Sequence, residues 1–348
     1  MVSQLPELVT QLKGNPVLLA RLAKVMLARG KRELATAICD QSMVLAPENR
    51  ELRAVASEIF SHDIPRWYFA MVLDDLRNRL YDAAFRSGIP PGSLVLDVGT
   101  GTGLFAMMAA RAGASKVITC ERRIDVATAA TAVIRKNHLD DRIAVIAKPV
   151  SELEIGVDID RPADVVIWDN LSNNLIGADA LESLERVARR LARPGARFIP
   201  AKGKIIVALA EDKSDRSQRM SFVEGFDLTP FNRLAAPNYN MIDADRFVVR
   251  SAPTCLFEFD FESGGPFPSE RARVELNALG GAVNGVAQWL CLELGHGGKY
   301  ENRPPTFKTA ALAAVFYPAG RSFSLAEDSP VIVAGSHDRS TMQIWIES

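Results

Sequence analysis

LVLDVGTGTGLFAMMAARAG, residues 94–113, is the stretch of sequence that decides the fold. Its first five residues are apolar and partly β-branched, which predicts a strand that is buried on both faces. The strand is followed by three glycines, Gly99, Gly101 and Gly103. Glycine permits positive φ angles and lets a ligand approach the main chain closely. A helix is predicted to begin near Leu104, and its free amide groups favour a carboxylate or a phosphate.

The spacing of these glycines indicates which cofactor the loop binds. A dinucleotide fingerprint requires G-x-G-x-x-G, and its third glycine would fall on Leu104. The chain instead has D-x-G-x-G-x-G, in which Asp97 lies two residues before the first glycine. A second apolar run, 116–120, leads into Glu121, where an acid is placed to accept two ribose hydroxyls. This pattern is typical of S-adenosylmethionine-dependent methyltransferases, and the alternative is a purely structural turn.

Composition narrows the classes of protein that the chain fits. The 348 residues suit about two domains plus an appendage, and the 48% hydrophobic and 24% charged content is typical of a globular protein. The formal net charge of −1 gives no basic field, so no nucleic acid partner is expected. No signal peptide and no apolar run of membrane-spanning length is present, so no membrane partner is expected either.

Cysteine and histidine usage predicts the compartment and the absence of a metal site. The four cysteines are scattered and form no C-x-x-C pair, which is typical of reduced thiols in the cytoplasm. The four histidines show no spacing that is typical of metal ligands, so no metal is expected.

Residues 1–62 are predicted to be helical. Apolar residues recur at helical spacing in three segments, with Gly30 after the first and Pro47 after the second. This arrangement resembles one tetratricopeptide-type repeat. One repeat does not bury its own apolar face, so the segment is expected to pack on the catalytic domain or on a partner. The alternative is a helical cap without a binding role.

The segment 64–85 carries the most specific resemblance. Its apolar period predicts an amphipathic helix, and ion pairs along that helix are the purely structural interpretation of its charges. Met71-x-x-Asp74-Asp75-x-Arg77-Asn78-x-x-Tyr81, taken with the glycine loop and Glu121, resembles the protein arginine methyltransferase family, and its type III-like branch most.

This resemblance implies a set of cofactor contacts. Arg77 would pair with the carboxylate of the cofactor's methionine part, and a fork of two hydrogen bonds there would also aim the methyl group. Met71 would lie near the reacting sulfur, and residues 148–150 would hold the adenine through main-chain atoms. The implied cofactor-binding residues are Met71, Arg77, Asp97, Gly99, Thr100, Gly101, Gly103, Leu104, Glu121, Arg122, Lys148, Pro149, Val150 and Asp169.

Further apolar runs complete an α/β domain over residues 63–200. Strands are predicted at 143–147, 163–168 and 195–200, with helices between them. This alternation predicts a Rossmann-like, doubly wound, mostly parallel sheet. Gly99, Glu121, Lys148 and Asp169 all follow strands, and ligands bind beyond the carboxyl ends of such strands.

The acceptor site is expected in residues 168–177, WDNLSNNLIG. In the family that the chain resembles, a hairpin here carries two glutamates that hold a guanidinium. Alignment through residues 175–177 puts Asp169 at the first position and Asn174 at the second, and both are predicted to be catalytic. Asn174 supplies hydrogen bonds without charge, which weakens the electrostatic help that a guanidino nitrogen needs. The alternative is an asparagine-rich loop that satisfies its own backbone.

Residues 201–348 change pattern. Strands without intervening helices predict an antiparallel β-barrel or sandwich, which the resemblance also implies. They are predicted at 205–209, 254–261, 273–276, 286–294, 310–316, 331–333 and 342–346. The stretch around 225–245 falls where the family carries a dimerisation arm, so the resemblance implies a homodimer. The family's threonine-histidine-tryptophan loop would fall near 308–312, where neither histidine nor tryptophan stands, and Trp289 is expected to be core.

Three functional interpretations remain at this point. The favoured one is a methyltransferase that uses S-adenosylmethionine and a nitrogen acceptor, including a guanidino nitrogen, in a protein, a peptide or free arginine. The second is a methyltransferase of a different small molecule in specialised metabolism. The third is a cofactor-binding scaffold without activity, which the combination of Arg77, Asp97 and Glu121 disfavours because a scaffold gains little from aiming a reactive methyl group.

Overall fold

The computed structural model describes residues 10–12, 14–62, 64, 67–177, 179–214, 220–241, 244–304 and 312–347. Residues 10–12 are helical, and the helices whose bounds lie in the described ranges then begin with α1 (Pro16–Ala28), α2 (Arg32–Leu45) and α3 (Arg50–Ser61). Asn15 and Asn49 cap α1 and α3 by accepting main-chain N–H groups. The three helices pack on one another around their own apolar core, which includes Leu19, Ile38 and Ile59. The predicted helical segment is confirmed, and its likeness to a tetratricopeptide repeat stays a prediction.

Two helices then lead into the α/β domain. They are α4 (Trp67–Val72) and α5 (Asp75–Gly88). Asp74 caps α5, because its Oδ1 accepts the N–H of Arg77 at 3.0 Å. The apolar face of α5 places Tyr81 and Phe85 in the main core.

The α/β domain is a parallel sheet with helices between its strands, as predicted. Its strands are β1 (Leu94–Val98), β2 (Lys116–Cys120), β3 (Ile143–Ile146), β4 (Ala163–Trp168) and β5 (Ala192–Ile199). They lie in the order β3-β2-β1-β4-β5, and every neighbouring pair is parallel. The connecting helices are α6 (Leu104–Ala112), α7 (Ile124–Lys136) and α8 (Ala180–Arg190).

The register of this sheet brings the ends of four strands into one row. Val98 pairs with Cys120 on one side and with Trp168 on the other, and Cys120 pairs with Ile146. We call this row the rim. The strand order reverses at β1, because β2 and β3 lie on one side of it and β4 and β5 on the other. Ligands bind at such a reversal in open α/β sheets, beyond the carboxyl ends of the strands.

The second sheet is antiparallel and has eight strands. They are β6 (Lys202–Asp212), β9 (Tyr239–Asn240), β10 (Phe247–Val249), β11 (Thr254–Asp260), β12 (Glu270–Gly295), β13 (Gly298–Glu301), β14 (Val315–His337) and β15 (Met342–Ile346). The central order is β10-β6-β12-β14-β15, with β11 on β6, β13 on β12 and β9 on β14. The expected antiparallel domain is confirmed.

Two strands of this sheet are far longer than predicted. Segments 273–276 and 286–294 were expected to be separate strands, but both belong to β12, and 331–333 is part of β14. The register between β12 and β14 shifts at Asn277/Leu279 and at Val283/Gly285. Such bulges bend a strand without ending it. Gly280 and Gly281, which lie between the two shifts, have φ of +77° and +97°, and glycine's tolerance of positive φ lets the strand continue through this stretch.

A short arm leaves the sheet after β6. It holds the two-stranded hairpin β7 (Phe222–Val223) and β8 (Phe226–Asp227) and a 3₁₀ turn over Thr229–Leu234. None of the helices in the described ranges is long and apolar enough to cross a membrane.

The two sheets share one continuous core. It runs from Phe85 and Val95 of the α/β domain to Phe261 and Leu290 of the antiparallel domain. Because α5 packs against β12 and β13, the antiparallel domain is fixed directly behind the helix that carries Arg77. Trp289 is fully buried in a second cluster of that domain, which confirms its expected place in the core.

Candidate active site

The glycine loop leaves an open surface above the end of β1. Gly99, Gly101 and Gly103 all have positive φ, at 93°, 54° and 81°. The amides of Gly99 and Thr100 donate to the carbonyl of Cys120 at 3.1 and 3.0 Å, which ties the loop to β2. A Cβ atom at Gly99 would meet no other atom within 4 Å, so there is room for a ligand against the main chain.

Asp97 holds the loop from below. It is buried, and its Oδ2 accepts a hydrogen bond from Thr119 Oγ1 at 2.7 Å. Thr119 Oγ1 lies 2.7 Å from Thr100 Oγ1, so the chain of hydrogen bonds continues into the glycine loop. Burial, with the charges of Asp169 and Glu121, raises the pKa of Asp97 to about 7, while the Thr119 hydrogen bond opposes that rise. Asp97 therefore positions the loop that receives the cofactor.

Glu121 lies on the rim directly after β2. Its side chain is largely buried, and Oε1 accepts the N–H of Arg123 at 3.0 Å. That contact fixes the carboxylate beside the glycine loop, as a ribose-binding acid requires. Arg122, the next residue, is exposed.

Residues 148–150 follow β3 on the same edge of the sheet. The side chain of Lys148 donates from Nζ to Asp158 Oδ1 at 2.7 Å. The side chain is thus engaged with Asp158, and the main chain of Lys148 is the part that a ligand at the rim could contact. Val150 begins a 3₁₀ turn over Val150–Glu152, and Pro149 precedes that turn in an extended conformation. Adenine binding through the main chain of Lys148, Pro149 and Val150 stays a prediction.

Helix α4 covers the glycine loop. The hydroxyl of Tyr68 lies 3.7 Å from the position that a Cβ of Gly101 would occupy. Burial raises the pKa of Tyr68 to about 12, and the Glu121 carboxylate adds to this. Met71 is partly buried one turn further along the same helix. Tyr68 was not among the predicted site residues, although its place three residues before Met71 in the family-like segment was a usable signal.

Arg77 is buried beneath this cover. Its guanidinium forms an ion pair with Asp169, and its Cζ lies 4.5 Å from the centre of the Phe105 ring. The Asp169 charge raises the pKa of Arg77, although burial alone would lower it, so the guanidinium stays charged. Arg77 Nε is buried and has no hydrogen-bond partner within the described part of the chain. A buried unpaired donor is costly, so this atom is well placed for an anionic ligand such as the cofactor's carboxylate.

Asp169 connects the cofactor side of the site to the acceptor side. It directly follows β4, and both of its carboxylate oxygens are engaged, one by Arg77 and the other by Tyr81 Oη at 3.1 Å. Burial raises the pKa of the Asp169 carboxyl, against the lowering effect of the Arg77 charge. Behind the pair, Tyr300 Oη donates to Asp74 Oδ2 at 3.2 Å, which brings β13 into the support of α5.

Asn174 is drawn into the turn that follows Asp169. Its Oδ1 lies 2.6 Å from Ser172 Oγ, and the same hydroxyl is within hydrogen-bond distance of the carbonyl of Ile176, so its single O–H donates to one of these two oxygens. Leu175, the next residue, is buried and has a φ of +65°, a costly conformation for leucine. The turn is thus locally satisfied, as the asparagine-rich alternative predicts, and a catalytic role for Asn174 stays a prediction.

Asn173 anchors the acceptor loop to the antiparallel domain, and sequence analysis missed it. Its Oδ1 accepts the N–H of Ala313 at 3.1 Å, and its Nδ2 donates to Asn240 Oδ1 at 3.1 Å. Its carbonyl accepts Gln288 Nε2 at 3.0 Å. Residues 308–311 of the expected acceptor-closing loop lie outside the described residues, but Ala313, just beyond it, contacts the acceptor loop.

Together, these features define a class of protein. The donor side offers a glycine loop, a rim acid at Glu121 and the guanidinium of Arg77, and these groups fit S-adenosylmethionine. The chain is a class I-type S-adenosylmethionine-dependent methyltransferase with an appended antiparallel domain. A family model described as ribosomal protein L11 methyltransferase (PrmA) matches residues 80–220, over the donor half.

Relatives define the family more narrowly. The chain is 33% identical over 300 residues to an arginine N(omega)-methyltransferase of Streptomyces achromogenes subsp. streptozoticus, across 84% of this chain and 81% of that protein. It belongs to the arginine methyltransferase family. It is also 30% identical over 246 residues to protein arginine N-methyltransferase 7 of Drosophila grimshawi, across 64% of this chain and 35% of that protein. The chain thus spans about a third of the length of that relative.

Solved structures confirm the fold. A Trypanosoma brucei PRMT1 enzyme–prozyme heterotetrameric complex with AdoHcy aligns with a TM-score of 0.70 at 19% identity, across 83% of this chain and 100% of that one. Arabidopsis thaliana protein arginine methyltransferase 10 aligns with a TM-score of 0.63 at 17% identity, across 80% and 96%. The predicted succession of a Rossmann-like domain and an antiparallel domain is therefore correct.

Replacing Glu121 tests the ribose side of the site. We expect Glu121→Ala to weaken binding of S-adenosylmethionine by about 10- to 100-fold, because hydrogen bonds to a charged group contribute ~1.5–3 kcal/mol. Titration calorimetry measures this directly. Glu182→Ala, at an exposed position on α8, is the matched control and should bind normally. An unchanged affinity for Glu121→Ala would remove Glu121 from the cofactor site.

Replacing Asp169 tests the acceptor side. We expect Asp169→Asn to lower kcat by about 100- to 1,000-fold, as the loss of one preorganised charged group does in other enzymes. Cofactor affinity should change little, because the side-chain oxygen of the asparagine still accepts a hydrogen bond from Arg77. Asp164→Asn, at the opposite end of β4 where Asp164 accepts the Leu94 amide, controls for the loss of a charge from this strand. Turnover close to normal in Asp169→Asn would exclude Asp169 from the acceptor site.

Proposed function

We propose that this enzyme transfers a methyl group to a guanidino nitrogen of arginine, and that free arginine is its first acceptor. The single observation that carries the proposal is the Asp169 carboxylate. It stands at the start of the acceptor loop, on the rim, and is held in place by Arg77 and Tyr81. A fixed, buried carboxylate binds a guanidinium well, because the two groups form a pair of parallel, charge-assisted hydrogen bonds.

The residues of the chain divide the chemical work between them. When bound, S-adenosylmethionine supplies a methyl group on a positively charged sulfur. Glu121 and the glycine loop hold its nucleoside part, and Arg77 holds its carboxylate. Asp169 holds an acceptor N–H, keeps the nitrogen in line with the methyl group, and takes the proton that this nitrogen loses as it forms the new bond. Alignment of this kind can account for a large part of a methyl transfer's acceleration.

Two features support free arginine over an arginine within a protein. The relative named for arginine itself aligns with 84% of this chain, whereas the fly relative named for protein arginine aligns with 64%. The acceptor loop is also tied to the antiparallel domain at three points through Asn173. A loop held at three points has little freedom to move aside for a protein chain, which favours a small acceptor.

The acceptor is identified by incubating the pure protein with methyl-labelled S-adenosylmethionine. The parallel reactions contain free arginine, an arginine-containing peptide, and free lysine as the control amine. We expect N(omega)-methylarginine from free arginine, recognised by a mass increase of one methylene, and no product from lysine.

The other outcomes decide between the alternatives. Label in the peptide alone would replace the free amino acid with a protein acceptor. Label in an unrelated small molecule of a cell extract, with none in arginine, would favour an enzyme of specialised metabolism. Cofactor binding without any transfer would favour the scaffold.

We also propose that the enzyme is a homodimer that associates through the arm at 220–241. Phe222, Phe226 and Phe231 expose 70%, 72% and 58% of their surface, close together on the short hairpin and the turn that follows. Large apolar side chains clustered on a surface are typical of an interface. An arm of this kind is also where the family resemblance places the dimer contact.

Sedimentation equilibrium tests the dimer. We expect the native protein to be dimeric and Phe226→Ser/Phe231→Ser to be monomeric, because the substitutions remove apolar area from the contact. Leu279→Ser changes a side chain that is 60% exposed on β12, away from the arm, and should leave the dimer intact. A monomeric native protein, or a dimeric double variant, would contradict the proposed arm contact.

A cytoplasmic location is also proposed. Cys39, Cys120, Cys255 and Cys291 are free thiols. Unpaired cysteines are typical of proteins kept in a reducing compartment.

A further inference from the structure

Arg32 joins three segments of the chain at one point. It is the first residue of α2, in the helical segment that precedes the α/β domain. One of its terminal nitrogens, NH1, lies 3.0 Å from Asp125 Oδ2, and three quarters of the side chain is buried. The other, NH2, donates to the carbonyl of His62 and lies 3.2 Å from His62 Nδ1. A guanidinium is planar and rigid, so it holds two partners in a fixed relation, which a lysine cannot do.

The Asp125 contact leads to the ribose side of the cofactor site. Asp125 lies in the first turn of α7, and its carboxylate also binds Arg123 through Nε at 3.2 Å and NH2 at 2.8 Å. The main-chain N–H of Arg123 in turn donates to Glu121 Oε1 at 3.0 Å. Arg32 is therefore two side chains away from the acid that receives the ribose.

The His62 contact leads to the other wall of the same site. His62 ends α3, and a few residues further along the chain is α4, which covers the glycine loop with Tyr68. The covering helix approaches Gly101 closely, at 3.7 Å from the position of its missing Cβ. A single side chain from the N-terminal helices thus contacts both the first turn of α7, just after Glu121, and the chain that leads to the helix covering the glycine loop.

We propose that Arg32 is a positioning residue of the cofactor site and that the N-terminal helices hold this site in its binding conformation. Without Arg32, Asp125 keeps Arg123 and the main-chain N–H of Val126 as partners, and the connection that runs from His62 through Arg32 to Asp125 of the α/β domain is lost. The two walls then become ordered only when the cofactor binds, and affinity falls by the cost of that ordering. The N-terminal helices therefore contribute to affinity by keeping both walls of the site ordered before the cofactor binds.

The test is cofactor affinity of the full-length protein with Arg32→Ala. We expect calorimetry with S-adenosylmethionine to give a Kd about 5- to 20-fold higher, and the KM for the cofactor to rise while kcat at saturating cofactor stays unchanged. Arg32→Lys keeps the charge but not the second contact, so its Kd for the cofactor should lie between those of the native protein and Arg32→Ala. Arg21→Ala is the matched control, because Arg21 pairs with Glu51 at 2.7 Å on the exposed side of the same helices.

A double-mutant cycle separates positioning from general stability. If Arg32 acts through Asp125, then Arg32→Ala/Asp125→Asn should bind the cofactor no more weakly than Asp125→Asn alone. A Kd for Arg32→Ala within twofold of the native value would overturn the proposal, and so would an equal loss in Arg21→Ala, or additive losses in the cycle. Binding is measured without an acceptor, so the result is independent of which molecule is methylated.

Discussion

The buried ion pair between Arg77 and Asp169 is the interaction on which the site depends. Transfer of two charges out of water costs several kcal/mol for each ion, and their attraction repays this only with good geometry and further hydrogen bonds. Both conditions are met, since Tyr81 donates to Asp169 and the Phe105 ring lies against the guanidinium. Loss of one partner would strand a buried charge, at a cost of about 3–5 kcal/mol.

The pair also sets the charge balance of the reaction. It is neutral as it stands, and it lies between a site for an anion, the cofactor's carboxylate, and a site for a cation, the acceptor's guanidinium. Arg77 faces the first and Asp169 the second, so each ligand adds a charge that its nearest partner complements. The sulfonium of the cofactor adds a further positive charge, so the carboxylates of Asp169 and Glu121 are charges of the site that oppose the cationic groups of the two ligands.

The donor half was predictable from sequence because the residues that form it lie close together along the chain. The strand, the three glycines, Asp97 and Glu121 fall within the 28 residues from Leu94 to Glu121, and the parallel register then aligns them on one edge. The contacts that complete the site join residues distant in sequence. Tyr300 reaches Asp74 over 226 residues and Arg32 reaches Asp125 over 93, and no local pattern encodes such pairings.

The antiparallel domain shows why boundaries were harder to predict than element types. Apolar alternation correctly indicated strands, but a glycine such as Gly285 marks either a turn or a bulge, and sequence spacing alone does not separate the two. In this fold the bulge is favoured because β14 continues to pair on the far side of it, at Asn277 and beyond. The pairing of β12 with β14 thus determined where the strands end, and the local glycine pattern did not.

The acceptor half follows a different logic from the donor half. Asp169 is one methylene shorter than the glutamate expected at its position, and its oxygens are already bound to Arg77 and Tyr81 at the base of the crevice. An acceptor must therefore enter far enough to reach this carboxylate, because Asn174 is engaged by Ser172 and carries no charge. The antiparallel domain holds the acceptor loop in place, since Asn173 hydrogen-bonds to Asn240, Gln288 and Ala313 of that domain. On the proposed function, selectivity for the acceptor depends on how the antiparallel domain holds the acceptor loop, while the groups that fit the donor lie in the α/β domain and on α5.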